Sequence, residues 1–126
     1  MRYVLLIYND ELEWANLSDE RRSAIVREYF ALTDELRSQG TYLAGAPLQP
    51  TSTATTVRVR NGEQVVTDGP FVETKEQLGG YFLVEAESDE EARAVAARIP
   101  AAHYGAIEVR PLVPIAAAAN AAASTV

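Results

Sequence analysis

Cysteine is absent from the 126 residues, and only one histidine occurs, so disulfides and thiolate metal centres are excluded. No metal-ligand spacing is present, and neither a metal nor a cofactor is expected. Long apolar runs are also missing: the first twenty residues hold only "YVLLIY" before "NDELEWANLSDE", which matches neither a secretory signal nor a membrane span. A cytoplasmic location without membrane association is the expectation. Basic residues are few, eleven against eighteen acids for a formal net charge of −7, and no Lys/Arg cluster suits a phosphate backbone. Nucleic acid is therefore excluded as a direct partner.

What is present is enough for one core, since 48% of the chain is hydrophobic. A single domain is expected over residues 1–114, followed by an Ala-rich tail at 115–126 with helix propensity but no apolar stripe to dock. "RYVLLIY" places apolar residues on both faces of a strand, which makes that strand central. "LSDERRSAIVREYFALTDELRSQG" predicts an amphipathic helix capped by Ser18, with Ile25, Tyr29, Leu32 and Leu36 on one face and Gly40 as its stop. "TYLAG" reads as a strand and "APLQPTSTA" as an irregular connector.

"TTVRVRNGEQVVT" predicts a hairpin whose Asn61 and Gly62 take a type I′ turn, with Arg60 opposite Glu63 and Arg58 opposite Val65. "YFLVEAES" is a second strand apolar on both faces. In "SDEEARAVAARIP" the Ser88 and Glu91 pair forms a capping box, Ala92, Val95, Ala96 and Ile99 form a buried stripe, and Pro100 ends the helix. "AIEVRPLV" is a last strand, with Pro111 arguing for an edge or a strand end. The order is a ferredoxin-like split βαβ, an α+β class, with an inserted β-hairpin. Two helices cover one face of such a sheet, yet two strands are apolar on both. A second copy packed on the open face, or the hairpin folded back over it, would resolve this.

The segments "YVLLIYND", "AGAPLQPTSTATTVRVRNG", "DGPFVETKEQLGGYFLVEA" and "IEVRPLV" resemble the DGPF-domain branch of the YCII-related family, over about Met1 to Pro114. The resemblance implies a dimeric ferredoxin-like α+β barrel, similar in layout to muconolactone isomerase. It also implies either enzymatic activity from a His and Asp pocket, or an association with extracytoplasmic-function sigma factors. The positions nearest the family's helix histidine are Glu28 and Tyr29, neither of which titrates near neutral pH as imidazole does. The lone His103 lies in "IPAAHYGA", outside the matched motifs, and reads as a loop residue.

The stretch "TDGPFVETKEQLGG" supports two readings. As a corner, Asp68 accepts backbone N–H groups, Gly69 supplies an unusual φ, Pro70 sets direction, Phe71 fills a core gap, and Gly79 and Gly80 allow close packing. As a site, Asp68, Glu73 and Lys75 are the candidates for chemistry, and Tyr8, Arg58, Phe71 and Tyr81 complete a cavity for a small polar or anionic molecule. Asp68 is expected to be bonded locally, with Glu73 and Lys75 facing a partly open pocket. The corresponding functions are small-molecule binding, with a cofactor-independent isomerase or lyase as its catalytic form, or a regulatory module that contacts a sigma factor. A homodimer is expected in either case.

Overall fold

A computed structural model describes residues 1–115; of the expected tail, residues 116–126 lie outside the described residues. The elements run β1 (Arg2–Asn9), α1 (Glu11–Asn16), α2 (Asp19–Ser38), β2 (Tyr42–Pro47), β3 (Thr55–Arg60), β4 (Glu63–Asp68), β5 (Gln77–Glu85), α3 (Asp89–Arg98) and β6 (Ala106–Pro111). Short 3₁₀ turns occupy Thr51–Thr53 and Pro100–His103. Without α1 and the β3–β4 hairpin this is the split βαβ order, and the fold is ferredoxin-like α+β.

Four strands form one antiparallel sheet in the order β2-β5-β1-β6, which puts the two doubly apolar strands at its centre. The strand at the β6 edge ends at Pro111, where a missing N–H costs no ladder bond. Tyr3, Leu5 and Ile7 of β1 and Phe82 and Val84 of β5 point to one face, and α2 and α3 close over it with Leu32, Leu36, Ala92, Val95, Ala96 and Ile99. Phe82 meets Tyr29 and Tyr42 edge-on, at ring separations of 6.3 and 5.2 Å. The Tyr3 hydroxyl leaves this core to donate to Asp89 Oδ1 at 2.6 Å, pinning the first turn of α3 to β1.

Local chemistry sets the helix limits. Ser18 Oγ accepts from Arg21 N at 3.1 Å, and Ser88 Oγ accepts from Glu91 N at the same distance. Glu91 reaches back to accept from Glu87 N at 3.3 Å, one residue beyond the Ser88 N-cap position that a capping box would use. Gly40, at φ +75°, takes the left-handed conformation that lets Thr41 N return to Leu36 O at 2.9 Å.

Helix α1 is not legible from periodicity. Its six residues bury nothing fully, and it is specified at its ends. Asp10 caps Leu12 N and Glu13 N, and the Arg22 guanidinium donates to the carbonyls of Trp14, Ala15 and Leu17.

Candidate functional site

Three regions matter: the sheet face opposite the helices, the hairpin, and the loop that joins β4 to β5. Alternation in β1 sends Val4, Leu6 and Tyr8 away from the core, and pairing sets Leu83 beside Val4 and Tyr81 beside Leu6. On the other side of β1, Arg110 lies beside Val4, Glu108 beside Leu6 and Ala106 beside Tyr8. Tyr8 and Tyr81 are thus diagonal neighbours across Leu6 on an apolar face that no helix among the described residues covers. Val4, Leu6, Tyr8, Tyr81 and Leu83 remain half-buried, and Leu78, paired with Tyr8, is exposed.

The Tyr8 hydroxyl donates to Glu108 Oε1 at 3.2 Å. Partial burial, followed by the Glu108 charge, pushes the Tyr8 hydroxyl above its ordinary value, so at neutral pH it stays a donor. Glu108 was not among the residues singled out from sequence. The period of two in "AIEVRPLV" carries it to the outer face, but only the β1–β6 register shows that it meets Tyr8.

The hairpin has the predicted register, with Arg60 opposite Glu63 and Arg58 opposite Val65. Asn61 at φ 52° and Gly62 at φ 79° make its turn. It forms a separate two-stranded sheet and does not fold back over the open face. Its residues are exposed on both sides apart from Thr56, including Val57 at 57%. Arg58 lies over the Phe71 ring, 4.9 Å from its centroid. Phe71 is 74% exposed, which corrects the expectation that it fills a core gap: its partner is a cation on an arm.

The corner is built differently from the sequence expectation. Gly69, at φ +99°, donates its N–H to Ala54 O at 2.8 Å, and Thr56 Oγ1 donates to Gly69 O at 2.8 Å. The Asp68 side chain makes no hydrogen bond among the described residues, so the glycine backbone closes this corner. Glu73 and Lys75 are exposed. An open hollow at the start of α2 is lined by Asp19, Arg22, Ser23, Val26 and Arg27 and includes none of the expected site residues.

A clasp fixes the base of the hairpin to the domain. Glu11 Oε1 and Oε2 accept from Thr51 N at 2.8 Å and Thr51 Oγ1 at 2.9 Å. Glu11 N donates to Gln77 Oε1 at 3.0 Å, and Gln77 Nε2 donates to Thr74 O at 2.7 Å. Gly79 forms a bulge in β5, since Ile7 pairs with Gly80 and Tyr8 with Leu78. A Cβ on Gly80 would sit 2.9 Å from Ala46 O, which is the close packing read from the glycine pair. The seven expected site residues thus fall into three groups in one protomer: Tyr8 with Tyr81, Arg58 with Phe71, and Asp68, Glu73 and Lys75 facing solvent.

A model of the YCII-related domain matches residues 1–116. The chain belongs to the YCII-related family. An uncharacterised protein of Rhizobium meliloti (strain 1021) is 40% identical over 114 residues, covering 89% of this chain and 92% of the relative. Glu28 and Tyr29, the positions read from sequence as nearest to a helix histidine, lie on α2. The Tyr29 hydroxyl, pushed strongly upward by burial and then by Tyr104, cannot take over the titration of an imidazole near neutral pH. His103 is exposed in the 3₁₀ turn before β6. Among the described residues no helix is long and apolar enough to cross a membrane.

Proposed function

We propose that this chain belongs to the DGPF branch of the family, acts as a homodimer in which the second copy covers the open sheet face, and binds a small polar or anionic molecule beside Tyr8 and Tyr81. The observation that carries the reading is the composition of the open face: half-buried Val4, Leu6 and Leu83, with two tyrosines and a Tyr8–Glu108 hydrogen bond at one end. Apolar surface of this kind is a contact site, and polar groups grouped at its margin orient a ligand. Glu108 can accept a proton while the Tyr81 hydroxyl stabilises a developing oxyanion, which is what a cofactor-independent isomerase or lyase requires. In this reading Glu73 and Lys75 of the same chain lie outside the ligand contact.

A thermal-shift screen of polar metabolites tests it. Hits should raise the melting temperature of the wild type, and Tyr81→Phe and Glu108→Gln should abolish the shift while leaving the ligand-free melting temperature almost unchanged. Hits unaffected by both substitutions would refute the site. The second reading, a module that contacts a sigma factor, draws on the net charge of −7 and on the outer edge of β6, unpaired among the described residues, which suits strand addition by a basic partner.

A further inference from the structure

The hairpin arm has two different faces, and they share unequally in the expected site. Pairing puts Thr55, Val57 and Val59 on the same side as Asp68, Val66 and Gln64, and puts Arg58 with Val65 on the other. Val57, Val59 and Val66 are each more than half exposed, at 57, 59 and 58%. A two-stranded ribbon is marginal in water by itself, and three aligned valines on one side mark a surface built to be covered. Asp68 stands at the end of that row without a hydrogen bond among the described residues.

The base of the arm and the tyrosines occupy the same end of the sheet. Pro47, where the chain leaves for the arm, pairs with Gly80, and Tyr8 pairs with Leu78 just beyond. Both connections of the arm are tied there, through Glu11 to Thr51 and through Gln77 to Thr74. A stable dimer removes about 800 Å² from each partner; the Val4, Leu6 and Leu83 side chains of the open face are already half-buried, and the arm's valines, each more than half exposed, supply further apolar surface beside them.

We propose that the arm of one protomer lies with its valine face on the open sheet face of its partner, so that Asp68 of one chain completes the Tyr8 and Tyr81 site of the other. This rests on the dimer reading above and deepens it. The site is then incomplete in a single chain, which accounts for the separation of its residues in one protomer. It also narrows the ligand: the Asp68 and Glu108 carboxylates with two tyrosine hydroxyls favour a neutral molecule rich in hydroxyl or N–H donors over an anion. Arg58 and Phe71, on the other side of the ribbon, cover the arm from solvent and do not touch the ligand.

The absence of cysteine makes the test direct. Val57→Cys and Leu83→Cys chains, carrying tags of different length, are mixed to exchange subunits and treated with a short bismaleimide. A cross-linked heterodimer is expected, and Arg58→Cys, on the opposite face of the arm, should cross-link to Leu83→Cys several-fold less. Replacing Val57 and Val66 together with serine should weaken the dimer about tenfold or more. A dimer in sedimentation that gives no Val57–Leu83 cross-link overturns the arm placement and leaves the dimer standing. A double variant that cross-links only within one chain also overturns it, and a monomeric wild type overturns both readings.

Discussion

Glu11→Ala removes the carboxylate that holds the base of the arm, and its effect should be confined to the arm. Two hydrogen bonds to Thr51, at 2.8 and 2.9 Å, disappear together, and the Thr51 N–H and hydroxyl lose their acceptor in a partly buried position. Hydrogen bonds to a charged group contribute about 1.5–3 kcal/mol each in sheltered sites, and partial exposure of Glu11 scales the pair down to about 1–3 kcal/mol in all. Hydrogen exchange by mass spectrometry reads this locally: amides of Thr56 to Val66 should lose about tenfold to a hundredfold in protection. Those of Leu5, Phe82 and Val84 should be unchanged. Glu13→Gln, an exposed neighbour on α1, serves as the control. A uniform loss of protection across the sheet, or no change in the arm, would refute the assignment of Glu11 as the clasp.

Three further outcomes follow from the core and the charges. Ile99→Ala opens space beneath α3 at a side chain that is fully buried, and urea denaturation should show a loss of about 2–5 kcal/mol. Gly80→Ala places a Cβ 2.9 Å from Ala46 O, against backbone that cannot yield cheaply, so β2 should separate from β5 with a cost of about 1–3 kcal/mol. The Met1 ammonium donates to Glu85 Oε2 at 2.5 Å and holds the Glu85 carboxyl below its ordinary range. Its contribution to stability is therefore complete above the unfolded carboxylate value of about 4.3 and is lost as pH falls through the lower folded value. Glu85→Gln should reduce the acid sensitivity of the melting temperature below that pH and should not steepen it.

Periodicity and punctuation carry most of this fold. The alternating strands, the Ser18 and Ser88 caps, the Asn61-Gly62 turn and the stop at Pro100 are encoded by neighbours within a few residues, and the structure has them where the sequence places them. The short α1 is hidden because it has no buried stripe, and only the Asp10 cap marks it. The candidate site was legible in part. Tyr8 and Tyr81 lie on strands whose apolar character on both sides is a local property, but their proximity, like the approach of Glu108, depends on β1–β5 and β1–β6 registers that no local signal sets. Phe71 reads as core by its type, but it follows a hairpin that stands clear of the sheet, and long-range placement decides its exposure.

Sedimentation equilibrium of the wild type and of Leu83→Arg tests the account most directly, because Leu83 lies at the centre of the open face between Val4 and Ala44. The wild type should be a dimer at micromolar concentration, and the arginine, burying an unpaired charge against the apolar surface of the second copy, should give a folded monomer with an unchanged circular dichroism spectrum. A wild type that sediments as a monomer at this concentration, or a Leu83→Arg variant that remains a dimer, would contradict the claim that a second copy covers this face.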